Sequence, residues 1–460
     1  MTHYHFIGIQ GLGMKPLALY LNAQGHRITG SDRSYDTGTR SEDPALLEKN
    51  ISCSPQNGSG IDDTTEAVVC SSAIEYDNPD ILAAQKRHIP ILMRSQVLSE
   101  LINQFSGITI AGTSGKTTSS AMCAYVLGKA GIDLSFIIGG ALMAPSEKRA
   151  IDWRYGKGPH FLIEADESDG SLVSYHPNTA VLLNISDDHK TLDELMRIFQ
   201  SYLNQAKERI IINTDCTNCQ ELNLPKIPVS TFGIHQTADY QAVNIAIQRG
   251  SCTFQVNKQD YVLQMPGTHN IYNALACIAL MSEMKIAPPD IARILSTFLG
   301  VKRRLEKIGE ANAITVYDDY AHNPMKISSA IHALAAFSKR LRLIYQPHGF
   351  GPLRMQFDRL LETFTRSMRS CDLLYLLPVY DAGGTADRSI GSDQLAEALR
   401  NHHVNATAVE SREALKSILM KEILPGDIIL VMGARDHSLG TFSREIFEMI
   451  PAIPGFEKNI

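Results

Sequence analysis

The sequence predicts an α/β protein of three domains: a Rossmann-like N-terminal domain, a P-loop-type central domain and a Rossmann-like C-terminal domain. Three observations predict it. Short apolar runs rich in Val, Ile and Leu recur from end to end, each followed by a small or polar turn and a helical stretch, which is the pattern of strands joined by crossover helices. Two of those turns are glycine-rich and open helices, one near residue 11 and one near residue 112. The length, 460 residues, is about three domains of chain, each able to bury its own core. The end of a short helix near Gln104 and a basic hinge at Gly300–Leu305 place the boundaries so that residues 1–105, 106–302 and 303–460 are the three domains.

Composition narrows the function classes. Hydrophobic residues make up 44% and charged residues 20%, with a formal charge of −6. Without basic clusters, nucleic acid is not expected as a standing partner. No basic-then-apolar leader precedes the first strand, and no apolar run approaches the roughly 18 residues that span a membrane. Eight cysteines, mostly in apolar runs, suggest reduced thiols and a cytoplasmic location. Cys216-x-x-Cys219 lacks a second ligand pair, so no zinc site is expected there.

The first element is His5-Phe-Ile-Gly-Ile-Gln-Gly-Leu-Gly-Met14, a strand running into Gly8, Gly11 and Gly13. A helix, a second strand from Arg27 to Gly30 and then Asp32 complete a mononucleotide-binding βαβ arrangement. The spacing is G-x-x-G-x-G, which does not point to a redox dinucleotide. A further strand, Ala67 to Ile74, carries Ser71 and Ser72 near its carboxyl end, as ligand contacts or as a helix cap. Pro90-Ile-Leu-Met-Arg94 and a short helix close this domain.

The central domain opens on Ile108-Thr-Ile-Ala-Gly-Thr-Ser-Gly-Lys-Thr-Thr118. A strand, a turn with Gly112, Thr113, Ser114 and Gly115, and then a helix led by Lys116, Thr117 and Thr118 make a phosphate-cradling loop in its shorter form. Lys116 would reach the β- and γ-phosphates of ATP, and Thr117 would offer its hydroxyl to Mg²⁺. Phe161-Leu-Ile-Glu-Ala-Asp-Glu-Ser-Asp169 then delivers Glu164, Asp166, Glu167 and Asp169 from a strand end, a set suited to a hard cation such as Mg²⁺. Thr179 to His189 repeats the layout with Asn184, Asp188 and His189. Alternating runs between Val229 and Leu263 suggest a small antiparallel excursion. Asn270 and Asn273, one helical turn apart, could read an adenine edge or cap the helix that they open. Gly300-Val-Lys-Arg-Arg-Leu305 is a basic hinge into a last α/β unit of about six strands.

Taken together these motifs resemble the Mur ligases, the ATP-dependent amide-bond formers of peptidoglycan assembly, and among them the alanine-adding branch. The resemblance rests on Gly8-x-x-Gly11-x-Gly13-Met14, Gly30-Ser-Asp32, Ser71-Ser-Ala-Ile74 with Asp77-Asn-Pro79, the loop Gly112 to Thr118, Glu164 to Asp169, Asn184 to His189, Asn270-x-x-Asn273, Arg303-Arg304, Asp318-Asp-Tyr-x-His322 and Gln346-Pro-His348. It implies domains for a UDP-sugar, for ATP and for an amino-acid acceptor, in that order. The implied substrates are UDP-N-acetylmuramate and L-alanine, with ATP and Mg²⁺, in a monomer or homodimer. It implies Lys116, Glu164, His189, Arg304 and Asp319 as catalytic residues, with Thr117, Glu164 and His189 on Mg²⁺. ATP would be held by Gly112 to Thr118, Asn270, Asn273, Arg304 and Asp319, with Asp319 anchoring the ribose or orienting the C-terminal domain. Gly11, Gly13, Asp32, Ser71, Ser72, Tyr320, His322, His348 and Arg354 would contact the other substrates.

The chain departs from the alanine-adding pattern at the acceptor end. Ser114 and Asn323 stand where histidines are usual, and Gly349 and Pro352 where arginines are, leaving Arg354 on a matching position. Lys190-Thr-Leu-Asp193 also differs from the usual segment. These departures keep two alternatives open: another acceptor, such as a recycled murein tripeptide, and a nucleotide-binding protein without turnover.

Overall fold

The structure is a computed structural model that describes residues 1–36, 43–143, 151–167, 171–186, 190–381 and 387–450. It is α/β throughout, as expected, with mostly parallel strands. The chain falls into two compact units. The first comprises Met1–Val243, Val256–Gln259 and Tyr272–Leu295; the second comprises Asn244–Gln255, Asp260–Ile271 and Ser296–Ile460.

The first unit holds two sheets. The N-terminal one is a five-stranded parallel sheet in the order Ser52–Ser54, Arg27–Ser31, His3–Ile7, Ala67–Cys70, Ile91–Met93. The chain winds outward from the central pair in both directions, so the carboxyl ends of His3–Ile7 and Ala67–Cys70 meet at a topological switch, where open sheets bind ligands. Ala67–Cys70 is buried throughout and reads as an unbroken apolar run, whereas His3–Ile7 also carries the buried His3 and His5, whose rings hydrogen-bond Thr64 and Thr29.

The second sheet of this unit runs Val229–Gly233, Arg209–Asn213, Thr179–Leu182, Ser106–Ala111, His160–Glu164, Leu134–Leu142, Ile151–Arg154. All neighbours are parallel except the edge pair formed by the last two. Ser106–Ala111, which leads into the phosphate loop, therefore sits between the strands that end in Glu164 and Leu182. One apolar core joins the two sheets: Tyr20, on helix Met14–Ala23, stacks on Phe161 with ring centroids 5.0 Å apart and an interplanar angle of 14°. Such an offset pair adds about 0.5–1.5 kcal/mol to the burial of both rings.

The second unit contains a six-stranded sheet in the order Glu306–Ala311, Ile314–Asp319, Asp427–Met432, Arg340–Tyr345, Leu373–Leu376, Ala406–Ala408, antiparallel only at its first pair. Helices Pro324–Ala335 and Phe350–Ser367 cover one face over a core that includes Ile331, Leu343, Leu360 and Phe364. Helix Leu439–Met449 helps to cover the other. Between Val229 and Leu263 the strands Tyr240–Gln248, Ser251–Val256 and Gln259–Leu263 are joined by two-residue turns. The second turn, Asn257-Lys258, has both residues at positive φ (48° and 67°), the backbone a tight hairpin requires. Among the described residues no helix is long and apolar enough to cross a membrane.

Candidate active site

The phosphate loop begins where strand Ser106–Ala111 ends. Gly112 has φ +141°, and a Cβ there would lie 3.0 Å from the Cβ of Leu183 and 3.1 Å from the backbone of Asn184. Gly115 has φ +88°, and a Cβ would lie 2.4 Å from Oδ1 of Asn273. Both glycines are thus fixed by close approach as well as by backbone conformation. Helix Lys116–Lys129 follows, with no side chain capping its N-terminus, so its first N–H groups are open to an anion.

Asn184, just past the neighbouring strand, shapes the loop. Its Oδ1 accepts from Thr113 Oγ1 and from the Ser114 amide, each at 2.9 Å, and its Nδ2 donates to the Ser114 carbonyl at 2.9 Å. Thr113 is also tied to Ser186, Oγ1 to Oγ at 2.7 Å. Asn273 accepts from Ser119 Oγ at 3.1 Å, on the first turns of the same helix. The Asn270 side chain donates through Nδ2 to the Pro266 carbonyl at 2.8 Å, in the second unit.

Lys116 Nζ donates to the Gly112 carbonyl and to Glu167 Oε2, both at 2.7 Å, with Asp166 at 3.9 Å. Burial alone would depress its pKa, but the carboxylates of Glu167, Asp166 and Glu164 outweigh it and the pKa is raised. Burial also pushes Glu167 above the usual carboxylate range, with Lys116 opposing. The lysine is thus held charged and aimed across the loop by an acid that an incoming phosphate would replace. Thr117 Oγ1 donates to Glu164 at 2.9 and 3.0 Å, and the Gly139 amide donates to Glu164 Oε2 at 2.9 Å. A hydroxyl and a carboxylate side by side are hard oxygen donors, a set that fits Mg²⁺. His189, expected beside them, and Asp188 lie outside the described residues.

At the carboxyl edge of the N-terminal sheet, Asp32 holds the glycine turn. Its Oδ2 accepts from the Gln10 amide at 3.1 Å, and its Oδ1 accepts from the Ser34 amide and hydroxyl at 3.1 and 2.8 Å. A Cβ on Gly11 would lie 3.1 Å from the Gly8 carbonyl. Ser71 and Ser72 sit in a turn at the same edge. Neither caps a helix: helix Pro79–Lys86 is capped by Asn78, whose side chain accepts from the Asp80 amide at 2.9 Å.

The remaining expected residues share one edge of the six-stranded sheet. Tyr320 and His322 follow Ile314–Asp319, His348 follows Arg340–Tyr345, and Gly433 to Asp436 follow the strand between them. Asp319 is buried, and its oxygens accept from the amides of Leu305 and Ala321, each at 2.6 Å, so it fixes the turn carrying Arg303 and Arg304. Both guanidiniums lie over the Tyr320 ring, 5.0 and 5.4 Å from its centroid. His322 packs edge-on against His348, ring centroids 4.9 Å apart. Burial, aided by Lys326, lowers its pKa to about 3, so it is neutral. Asn323 is the N-cap of helix Pro324–Ala335, accepting from the Lys326 amide at 3.0 Å. Arg354 is paired with Asp387 at 2.7 Å and donates to Ser389 Oγ at 2.9 Å.

Sequence reasoning did not single out Arg435. Its side chain approaches Gly349, where a Cβ would be 3.6 Å from one terminal nitrogen, and its amide donates to the Tyr320 hydroxyl at 3.4 Å. Gly433-Ala-Arg-Asp436 carried the signal, as a small-residue turn directly after an apolar strand. Beside it a cavity of about 280 Å³ is lined by Gln346, Tyr380, Asp381, Ser411, Arg412 and Asp436.

Three family models match consecutive stretches of the chain. They are described as Mur ligase family, catalytic domain (residues 3–106), Mur ligase middle domain (110–281) and Mur ligase, glutamate ligase domain (303–435). A UDP-N-acetylmuramate–L-alanine ligase of Geobacter sulfurreducens is 34% identical over 447 residues, covering 94% of each chain. The crystal structure of a UDP-N-acetylmuramate–alanine ligase from Thermotoga maritima matches 98% of this chain and 100% of its own, with a TM-score of 0.79 at 24% identity. A murein peptide ligase from Psychrobacter arcticus matches 100% of both chains, with a TM-score of 0.67 at 24% identity. With consecutive family models from residue 3 to residue 435 and a relative 34% identical across 94% of its length, the chain belongs to the Mur ligase family.

Proposed function

We propose that this chain is an ATP-dependent acid–amino-acid ligase that joins L-alanine to the lactoyl carboxylate of UDP-N-acetylmuramate in peptidoglycan precursor synthesis. The observation that carries the reading is Lys116, held charged at the start of an uncapped helix between the Gly112 carbonyl and Glu167. That geometry suits a phosphate on which negative charge builds up during transfer.

In the proposed reaction a carboxylate oxygen of the sugar acid attacks the γ-phosphorus of ATP, and ADP leaves. The amino-acid nitrogen then attacks the resulting acyl phosphate at carbon. The tetrahedral adduct collapses to the amide and inorganic phosphate, and the nitrogen gives up its proton. Lys116 and the loop amides bind the phosphates, Arg304 balances the charge of the transferred group, and Asp319 keeps the Arg303-Arg304 turn in place. Thr117 and Glu164, with His189, would hold Mg²⁺, which supplies charge neutralisation at the phosphate and carboxylate oxygens. Asn270 and Asn273 are assigned to the adenine. Gly11, Gly13, Asp32, Ser71 and Ser72 are assigned to the UDP-sugar, and Tyr320, His322, His348 and Arg354 to the acceptor side. The corresponding functional segments are residues 1–105, 106–302 and 303–460. The reading also places the protein in the cytoplasm, as a monomer or homodimer.

Gly349 and Pro352 favour a second reading for the acceptor alone, because neither can clamp an α-carboxylate as a guanidinium does. A phosphate-release screen over amino acids and short peptides, with UDP-N-acetylmuramate, ATP and Mg²⁺ present, separates the two. L-Alanine is expected to give the highest kcat/KM. Turnover with a murein tripeptide alone would move the assignment to the peptide-adding branch, and no turnover with any acceptor would leave a nucleotide-binding protein.

A further inference from the structure

Cys216 and Cys219 stand just past strand Arg209–Asn213: Cys216 is the N-cap of the short helix Thr217–Gln220, and Cys219 lies within it. Cys216 is half-buried, whereas Cys219 is 1% exposed. The Cys216 sulfur accepts from the Ile185 amide at 3.3 Å, and the Cys219 thiol hydrogen-bonds the same sulfur. The Ile185 carbonyl lies 3.7 Å from it, but Asn218 Nδ2 already donates to that carbonyl at 2.9 Å. The sulfur is thus asked to accept and not to donate, an arrangement that favours a thiolate. The Cys216 thiol is lowered to a pKa of about 6, first by the Cys219 hydrogen bond and further by backbone amides, with burial opposing. Cys219 is raised in turn, chiefly by that same hydrogen bond and then by burial. One accessible sulfur is ready to attack, and a sheltered one is held protonated three residues on.

The pair also reaches the phosphate loop through a single segment, residues 183–186. On one side Asn213 Nδ2 donates to the Leu183 carbonyl at 2.9 Å, while Cys216 and Asn218 hold the Ile185 backbone. On the other side Asn184 holds Thr113 and Ser114, and the Ser186 amide donates to Thr113 Oγ1 at 3.1 Å. Ile185, held by the thiol, therefore sits between the two residues that hold the loop.

We propose that Cys216 and Cys219 form a redox site that takes a low-molecular-weight disulfide as its oxidant and loosens the phosphate loop when it closes. The Cys216 thiolate attacks one sulfur of the oxidant, forming a mixed disulfide and expelling the other half as a thiolate. That thiolate takes up the Cys219 proton. The Cys219 sulfur then attacks Cys216, closing the intramolecular bond and releasing the second half, which takes a proton from water. The two cysteines lose two electrons in all, and the oxidant is reduced to two thiols. Once bonded to Cys219 the Cys216 sulfur carries no charge, and the Ile185 amide loses its acceptor. In a reducing compartment the pair stays as thiols, so the site responds to an excess of oxidant. This redox chemistry goes beyond the ligase reading; only its effect on nucleotide binding rests on the assignment of the loop to ATP.

The test treats the full chain with glutathione disulfide, maps the thiols by mass spectrometry and titrates ATP-Mg²⁺ calorimetrically. Trypsin releases residues 210–226, a peptide with Cys216 and Cys219 and no other cysteine. This peptide is expected to lose two hydrogens and carry no adduct, at a lower oxidant concentration than the exposed Cys371 needs to gain one. ATP affinity should fall about tenfold, the cost of a hydrogen bond lost beside the loop, and recover on adding dithiothreitol. That reversal tests the pair without any substitution. Cys219→Ala should instead trap the glutathione adduct on Cys216, and Cys216→Ala should give neither product. A peptide that stays reduced while Cys371 is modified overturns the proposal, and so does a disulfide that leaves ATP affinity unchanged. A disulfide that forms in a chain binding ATP in neither redox state supports the redox site and overturns the assignment of the loop to ATP.

Discussion

Asn184→Ala removes the side chain that shapes the phosphate loop while leaving in place every residue assigned to contact ATP. Three hydrogen bonds at 2.9 Å are lost: from Thr113 Oγ1, from the Ser114 amide and to the Ser114 carbonyl. At a net 0.5–1.5 kcal/mol each, the loop loses roughly 2–4 kcal/mol of preference for its cradle shape. Strand Thr179–Leu182 and its partners do not depend on this side chain, so the cost falls on the loop and not on the fold. If it is expressed wholly in ATP binding, at about 1.4 kcal/mol per tenfold, affinity falls roughly 30- to 1,000-fold. Calorimetric titration of ATP-Mg²⁺ measures it, with a thermal melt as the control for folding. Asn184→Asp, which keeps both acceptor bonds but puts an acid beside the phosphates, should bind no better than the alanine variant. An Asn184→Ala protein that binds ATP within threefold of wild type would refute the claim that this side chain organises the loop.

Lys116→Ala should lower ligation by about 10²–10³ at saturating ATP while the melting temperature holds, a loss typical of one electrostatic contact to the reacting group; half-normal turnover would remove Lys116 from the reaction. Asp318 gives a stability prediction. Burial, against the pull of Arg303 at 3.4 Å, raises its pKa to about 7. A raised folded-state pKa means that the folded protein holds the proton more tightly than the unfolded chain. Its contribution is therefore complete below about pH 4 and lost as pH climbs to about 7. Melting temperature across pH 4.5–8 should carry this downward component, and Asp318→Asn should flatten it; an unchanged profile contradicts the assignment. At the acceptor side, Arg435→Ala should raise KM for the amino acid at least tenfold. Arg354→Ala should raise it less, because Asp387 already engages that guanidinium; the reverse order in a Michaelis–Menten series would exchange their roles.

The fold was legible because strands buried on both faces write themselves as apolar runs, as in Ile108–Ala111 and Asp427–Met432. The phosphate loop was legible for a related reason: its chemistry is contiguous, with two glycines, a lysine and three threonines in seven residues. What stayed hidden depends on sheet order. Cys216 meets Ile185 only because strand Arg209–Asn213 is the parallel neighbour of Thr179–Leu182. Arg435 reaches Gly349 and Tyr320 because Asp427–Met432 inserts between Ile314–Asp319 and Arg340–Tyr345. Polar residues with two plausible uses could not be assigned from spacing alone. Ser71 and Ser72 read equally as caps until Asn78 proved to hold that place, and Asn323 read only as a departure until its side-chain Oδ1 was seen to cap a helix. Glu167 stood in the sequence among four carboxylates, with nothing to mark it as the partner of Lys116.

In the proposed reaction the sugar carboxylate is activated by the γ-phosphate of ATP before the amine attacks. UDP-N-acetylmuramate labelled with ¹⁸O in its lactoyl carboxylate, turned over with ATP, Mg²⁺ and L-alanine, tests it by mass spectrometry of the released phosphate. An acyl phosphate intermediate puts one carboxylate oxygen in each inorganic phosphate and keeps one in the amide. Phosphate carrying no label would contradict it.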